Sequence, residues 1–142
     1  MIAGFAAGPL YLIKELYKTR LPFEPNSLAQ EAAIAAFNDD EFLKKTTALN
    51  KISLGMMKDK FNSIGICHVP TSANFYLLLF PTENIAFQFN EECLSRGLIL
   101  RHVKNFGIPN GIRINSGTIE ETEFALNIIE EVNNILSKNT LF

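Results

Sequence analysis

The chain has no tryptophan, only two cysteines and two histidines, and no long uncharged apolar run. The cysteines are too far apart for a ligand pair, and two histidines make no metal cluster without carboxylates. No stretch approaches the roughly 20 apolar residues that cross a bilayer. Thirteen basic and fifteen acidic residues give a net charge of -2, and the basic residues are scattered. Composition therefore gives no reason to expect a nucleic-acid or membrane partner.

Other signals of chemistry are also missing. The glycine-rich phosphate-binding signatures GxGxxG and GxxxxGK[ST] are absent, and no Ser/His/Asp or Cys/His arrangement has supporting context. The small apolar start at 1–8 lacks the basic residues of a signal peptide. Cys67 and Cys93 are typical of reduced core residues in a cytoplasmic protein. The residues alone thus predict a cytoplasmic domain with no visible catalytic group.

The apolar periodicity predicts an α+β (α/β) domain, in which helices cover a small, mostly antiparallel sheet. Ser27 with Gln30, and Thr118 with Glu121, have the spacing of capping boxes. Small residues let helices approach closely, so we expect the alanine-rich second helix to be buried. The predicted elements are a first strand at 1–8, helices at 9–20, 27–37, 38–63, 82–97 and 118–136, a central strand at 75–80, and short strands near 98–102 and 111–116.

Two arginines are the sharpest signal. Arg113 stands inside an apolar strand, and Arg101 ends the preceding apolar run. Arginine is rarely buried unless paired, it stays charged, and its planar fork matches carboxylate or phosphate. Like charges on neighbouring antiparallel strands are destabilising, so we expect an anion to offset them. The two forks would bind a small molecule with two negative groups. The alternative is that each arginine pairs with a structural carboxylate or extends into water.

Asn74 is a third candidate. It lies at the entry of the central strand, where a side-chain amide can meet a ligand, although asparagine also commonly caps or turns the chain there. His102 follows Arg101, but strand alternation sends its side chain to the other face of the sheet.

Three separated motifs resemble the C-terminal part of histidinol-phosphate aminotransferases, which are fold-type-I pyridoxal-phosphate enzymes. Residues 20–30, RLPFEPNSLAQ, are similar to R-x-P-F-x-x-N-S-x-A-Q, and residues 70–75, PTSANF, to P-S-x-A-N-F. The third motif is RGLILR at 96–101, followed by GIPNGIRI at 107–114 and Gly117-Thr118. The resemblance covers essentially the whole chain in order, and the combination is specific.

The resemblance implies the roles of particular residues. Arg113 matches the arginine that binds the substrate's α-carboxylate, Arg101 the arginine that contacts the substrate phosphate, and Asn74 a position near the substrate. Residues 27–142 match the small domain of the enzyme. Residues 1–26 match a remnant of the large domain, made of its last strand, the interdomain helix and a linker.

The implied reaction is amino transfer between glutamate and an imidazole alcohol phosphate, in histidine biosynthesis. The implied partners are phosphorylated small molecules, and either a second copy in a homo-oligomer or a large domain that is missing here. Two alternatives stay open. One is another class I/II pyridoxal-phosphate enzyme, such as an aromatic aminotransferase or an amino-acid-phosphate decarboxylase. The other is a non-catalytic stand-alone remnant.

The chain departs from the family at its start. Gly4-Phe5 matches the family's Gly-Tyr, so the Schiff-base lysine and the segments that grip the cofactor fall before Met1. Ile2 stands where the family has a phosphate-holding arginine. Pyridoxal phosphate thus belongs to the complete family enzyme. We expect no cofactor bound to this chain, no catalytic residue within it and no transamination by it alone.

Overall fold

The computed structural model describes residues 4–20 and 25–139 of the chain. Its contacts divide the chain into two compact units, Met1–Lys44 and Lys45–Phe142, with the boundary inside a long helix. The domain boundary predicted between 26 and 27 remains a prediction. Most of the predicted linker at 21–26, and residues 1–3 of the predicted first strand, lie outside the described residues.

The first unit contains helix α1 (Leu10–Lys18), helix α2 (Ser27–Phe37) and the start of helix α3 (Asp40–Ser63). The predicted first strand is wrong in its described part, because residues 4–9 have no regular secondary structure. A strand needs a partner to satisfy its backbone groups, and the described residues of this unit offer none. The predicted helix after Pro9 is confirmed, but no residue of α1 is buried.

Helix α2 begins one residue away from its predicted cap. The Oδ1 atom of Asn26 accepts the backbone N–H of Ala29 at 2.9 Å, while Gln30 donates its side-chain amide to the Pro25 carbonyl. Asparagine caps a helix as well as serine does, so Ser27 becomes the first helical residue instead. The predicted burial of this helix is also wrong. Of its eleven residues, all described, Ala29 alone is buried.

The second unit is built on a sheet. Within the described residues the sheet has four strands, all antiparallel, in the order β1-β2-β4-β3. The predicted central strand is confirmed, and so are the two short strands after it, although residues 98–100 lie outside them. The strand at 68–69 was not predicted, because two residues are too few to show an alternation of apolar and polar side chains. The strands are β1 (His68–Val69), β2 (Phe75–Leu79), β3 (Arg101–His102) and β4 (Gly111–Asn115).

One face of this sheet forms the core. Side chains alternate along β2 and β4, so Tyr76, Leu78, Ile112 and Ile114 turn to the same side and are buried. They join one apolar cluster with residues of α3, helix α4 (Glu83–Ser95) and helix α5 (Ile119–Asn139). The predicted α+β fold, a small antiparallel sheet with helices packed on it, is confirmed. The helical members of the cluster include Met57, Phe61, Ala86, Phe89, Cys93, Ile129 and Val132.

The predicted helix starts of this unit are confirmed. Thr82 Oγ1 accepts the Ile85 N–H at the start of α4. Thr118 and Glu121 form the reciprocal capping box. The Thr118 N–H donates to the Glu121 carboxylate at 2.8 Å, and the Glu121 N–H donates to the Thr118 hydroxyl. This box fixes the corner between β4 and α5.

Gly111 opens β4 because no side chain fits there. A Cβ atom at this position would lie 2.8 Å from Ile108 Cγ2 and 2.9 Å from Val103 Cγ2. Both contacts come from β-branched side chains, which are stiff at χ1 and cannot swing away. The tight Asn110-Gly111 entry therefore holds β4 in register beside β3.

We expect Gly111→Ala to lower the free energy of unfolding by about 1–2 kcal/mol, through overpacking. Gly55→Ala is the matched control, because Gly55 lies in α3 with nothing within 4 Å of its added Cβ. Alanine there should stabilise the helix by about 0.5–1 kcal/mol. Urea unfolding of both variants checks the opposite signs. A stabilised Gly111→Ala variant would contradict the packing described here.

Candidate anion-binding site

The two predicted arginines meet on neighbouring strands. Arg101 of β3 is the register partner of Arg113 of β4, and Leu77 of β2 faces Arg113 from the other side. Directly opposed residues point to the same face of an antiparallel sheet. Both arginines therefore lie on the face opposite the core. Arg113 is half-buried and Arg101 is exposed.

Neither guanidinium is neutralised by the part of the chain that the structure describes. Arg96 shows what a structural arginine looks like here, with Nη1 2.6 Å from Glu92 Oε2 and Nε 3.1 Å from Glu131 Oε1. Arg101 and Arg113 form no such pair within residues 4–20 and 25–139. The Nε atom of Arg113 is buried and has no hydrogen-bond partner there. The alternative of structural ion pairs thus finds no support in the described residues.

Each guanidinium instead lies over an aromatic ring. The Cζ atom of Arg113 is 4.9 Å from the ring centroid of Phe75, and that of Arg101 is 4.9 Å from the centroid of Phe106. Phe75 begins β2, diagonal to Arg113 across the strand pair. Phe106 ends the short 3-10 turn Lys104–Phe106 that follows β3. Both distances are within the range of favourable cation–π contacts.

A surface concavity of about 490 Å³ adjoins the two arginines. Residues 98–101, the end of β4 and the first turn of α5 line it. The N-terminal turn of a helix carries partial positive charge, which favours an anion. Glu121 also lines the concavity, but its carboxylate is engaged in the capping box with Thr118. The charged residues that line the concavity are two arginines and one glutamate, so its net charge is positive and suits an anionic ligand.

Hydrogen bonds from α3 hold the corner beside the site. Ser116 donates its hydroxyl to Asn50 Oδ1 at 2.6 Å, and the Ser116 N–H donates to the Asn74 carbonyl at 2.9 Å. Ser53 of the same helix donates to the Gly117 carbonyl at 2.9 Å. These bonds fix the ends of β2 and β4 together. Asn74 is exposed at this corner and is not among the residues that line the concavity.

Thr122 is an unexpected member of the site. It lines the concavity from α5, is 1% exposed, and its Oγ1 atom has no hydrogen-bond partner in the described residues. A buried hydroxyl without a partner costs free energy. Thr122 and Arg113 thus each present one unsatisfied buried polar atom beside the same concavity.

We expect Thr122→Val to raise the free energy of unfolding by about 1 kcal/mol, because valine keeps the shape and removes the unpartnered hydroxyl. Ser53→Ala is the control, since it removes a hydroxyl whose bond to Gly117 is made. That variant should lose about 0.5–1.5 kcal/mol. Urea unfolding with unchanged slopes measures both. Equal losses in the two variants would show that Thr122 is satisfied in solution.

Other chemistry finds less support. The residues that the structure describes contain no group of His, Cys, Asp and Glu suited to a metal ion. No helix in the described ranges has both the length and the apolar character for a membrane span.

The cysteines and His102 add no catalytic group. Burial raises the pKa of Cys93 to about 12, so its thiol is not a nucleophile. Cys67 is exposed, and its predicted place in the core is wrong. His102 faces away from the arginines, beside Ile112, as predicted.

The sequence matches one protein family over most of its length. The match to the family described as aminotransferase class I and II covers residues 2–129. The chain belongs to this aminotransferase family. The matched range includes both arginines and the four strands of the described sheet.

Within this family, the chain is similar to proteins named histidinol-phosphate aminotransferases. The chain is 33% identical over 129 residues to a histidinol-phosphate aminotransferase of Akkermansia muciniphila, covering 91% of this chain and 35% of that protein. It is 38% identical over 128 residues to histidinol-phosphate aminotransferase 2 of Bacillus cereus, covering 90% of this chain and 33% of that protein. The chain therefore spans about a third of the length of these relatives, a C-terminal part by its motifs.

Solved structures bear out the fold. Histidinol-phosphate aminotransferase from Sinorhizobium meliloti, solved in complex with pyridoxal 5'-phosphate, superposes with a TM-score of 0.75 at 23% identity. The superposition covers 87% of this chain and 34% of that one. At this identity the likeness establishes the fold of the aminotransferase segment.

Sequence reasoning missed three members of the site. Phe75 was placed in the central strand, but its contact with Arg113 depends on the strand register. Phe106 lies in a connection without periodicity. Thr122 looked like an ordinary position in the first turn of a helix. Of the three, only Phe75 could have been found from the sequence. It lies two residues from Leu77 in the same strand, so both side chains are on one face of the sheet.

Proposed function

We propose that this chain is the substrate-binding C-terminal part of a pyridoxal-phosphate aminotransferase that acts on histidinol phosphate. The family and the names of the relatives support the aminotransferase class. One observation carries the proposal: two opposed arginines lack any carboxylate partner in the described residues, and one of them has a buried, unsatisfied Nε atom. Such a pair is suited to bind an anionic substrate.

Arg113 is the proposed ligand of an amino acid's α-carboxylate. Its half-buried fork offers parallel donors in a plane, and a carboxylate accepts two of them. The buried Nε atom is already removed from water. A carboxylate there would therefore gain a hydrogen bond without much further desolvation of the arginine. This contact would fix the α-carbon of glutamate relative to the rest of the site.

Arg101 is the proposed ligand of the substrate phosphate. It is exposed, at the rim beside residues 98–100. Phosphate carries up to two charges and several acceptor oxygens, so it keeps some of its water while it accepts from the fork. An exposed arginine suits that partly hydrated group better than a buried one would. Asn74 is proposed to lie near the substrate, at the corner held by Ser116.

The cofactor would be held by other parts of a complete enzyme. Pyridoxal phosphate supplies the electron sink for amino transfer when it is bound. The residues that line the concavity include no lysine, so they do not fit the attachment of this cofactor. Lys104 is the lysine nearest in sequence to Arg101, and its Nζ atom lies 2.5 Å from Glu83 Oε1, so it is already paired. We therefore assign this chain substrate binding and orientation, and no cofactor contact.

The remaining assignments follow from the same proposal. The partners are phosphorylated small molecules and either a second copy of the chain or a large domain, not nucleic acid or a membrane. The apolar side chains of α1, exposed here, would give such a domain or copy a surface to cover. Two free thiols, Cys67 and Cys93, suit a cytoplasmic setting.

A chimeric enzyme tests the proposal. The Bacillus cereus relative is produced with its matching third replaced by residues 1–142 of this chain. Donor kcat/KM is then measured with histidinol phosphate and with phenylalanine, using 2-oxoglutarate as acceptor. We expect turnover, with the phosphorylated donor preferred. A folded chimera that binds pyridoxal phosphate but prefers phenylalanine, or turns over neither donor, would contradict the proposal. If the chimera does not fold, phosphate titration of the chain itself decides whether Arg101 binds the anion.

A further inference from the structure

Two like-charged forks lie opposite each other without a counter-ion in the described residues, so something else must hold them in place. The guanidinium groups of Arg101 and Arg113 should repel each other, and their flexible side chains should move toward water. In the structure each instead lies 4.9 Å from the centroid of its own aromatic ring. The two rings come from different elements of the chain, β2 and the turn after β3.

We infer that Phe75 and Phe106 are positioning residues that hold Arg113 and Arg101, respectively, in binding geometry before a ligand arrives. The face of an aromatic ring attracts a cation and leaves the edge of the guanidinium plane free for an anion. An arginine already held in place loses less conformational entropy when its ligand binds. The rings would thus raise anion affinity without touching the anion.

The exposure of Phe106 supports a role beyond core packing. Its side chain is 66% exposed, so apolar burial does not explain a large aromatic residue in that turn. Phe75 is half-buried and lies on the face of the sheet away from the apolar cluster. Each ring can therefore be removed with limited damage to the core.

The arrangement also makes the two binding groups separable. Phe75 belongs to β2, which lies on the far side of β4 from Arg101. Loss of one ring should free its own arginine and leave the other in place. Which anion each ring serves rests on the proposed function, in which Arg101 takes phosphate and Arg113 takes carboxylate.

The test uses the 142-residue chain and two probes, inorganic phosphate and acetate, against chloride at equal ionic strength. NMR relaxation and shifts of the arginine Nε–Hε groups report the order of each guanidinium and its anion affinity. We expect Phe106→Leu to lower the order of Arg101 and weaken phosphate binding about two- to five-fold. Phe75→Leu should do the same for Arg113 and acetate. Phe106→Tyr, which keeps a ring, should restore the wild-type values.

Phe124→Leu is the matched control, because Phe124 is 53% exposed and lines the same concavity but lies under neither guanidinium. An equal effect from this control, or unchanged arginine order in both ring variants, would overturn the inference. The two proposals fail separately. If neither probe shifts the wild-type arginines while ring removal still loosens them, the proposed anion site is wrong, and the rings order the two side chains without serving anion binding. If the probes bind and ring removal changes nothing, the positioning role is wrong.

Discussion

Replacing Arg113 with lysine is expected to lower donor kcat/KM for glutamate and phenylalanine by about 10- to 150-fold in the chimeric enzyme. That factor corresponds to the loss of one charge-assisted contact, about 1.5–3 kcal/mol. Lysine keeps the charge but is a point donor, so it cannot reproduce two parallel bonds to a carboxylate. It also leaves the space beside Phe75 without a planar group to stack there.

The control for this variant is Arg96→Lys. Arg96 already pairs with Glu92 and Glu131, away from the concavity, so its replacement should change kcat/KM by less than about three-fold. Steady-state kinetics measure both variants with each donor, using saturating 2-oxoglutarate as the acceptor for phenylalanine and saturating phenylpyruvate as the acceptor for glutamate. An Arg113→Lys enzyme that keeps wild-type kcat/KM for both amino acids would show that the carboxylate binds elsewhere.

Replacing Arg101 with alanine is expected to act on one class of donor. We expect kcat/KM for histidinol phosphate to fall by about 10- to 100-fold, because the phosphate loses a charge-assisted partner. Phenylalanine has no phosphate group for Arg101 to bind, so its kcat/KM should change by less than about three-fold. In a two-step amino transfer, donor kcat/KM reports only the donor's own half of the reaction, which keeps the acceptor's carboxylates out of the comparison.

Lys104→Ala is the control for this second variant. It removes a cation three residues from Arg101 whose ammonium already pairs with Glu83. A general loss of positive charge would affect the two variants alike, whereas a specific phosphate contact would affect Arg101→Ala alone. Equal losses for both donors in Arg101→Ala would make the phosphate assignment wrong.

The part of the fold with strong periodicity was predictable from the sequence. Residues 75–79 form a continuous apolar run, and Thr118 with Glu121 has capping-box spacing, so the central strand and the last helix were located correctly. The prediction of a strand at 1–8 was wrong in its described part, because composition says nothing about a pairing partner. The prediction that α2 is buried was wrong, because small residues permit close packing but do not supply a neighbouring element.

The site was predictable in part for a similar reason. Arg113 stood out because it lies inside an apolar run and Arg101 because it ends one, and a hairpin brings two such positions together. Phe106 and Thr122 did not stand out, since a ring in a turn and a hydroxyl in a helix are ordinary locally. Their importance depends on contacts across the sheet that no short window contains. The pairing of Arg101 with Arg113 across β3 and β4 is known only from the structure, and it is what makes Phe106 and Thr122 neighbours of the candidate site.

The central claim is that Arg101 and Arg113 form one anion site, in which Arg101 binds a phosphate and Arg113 binds a carboxylate. O-phosphoserine, which carries a carboxylate and a phosphate, is the direct probe, titrated into the 142-residue chain while the arginine Nε–Hε resonances are followed by NMR. We predict that both resonances shift along one binding curve and that O-phosphoserine binds more tightly than acetate or inorganic phosphate alone. A titration that shifts neither arginine more than ionic-strength-matched chloride, or that shifts only one of them, would contradict the claim.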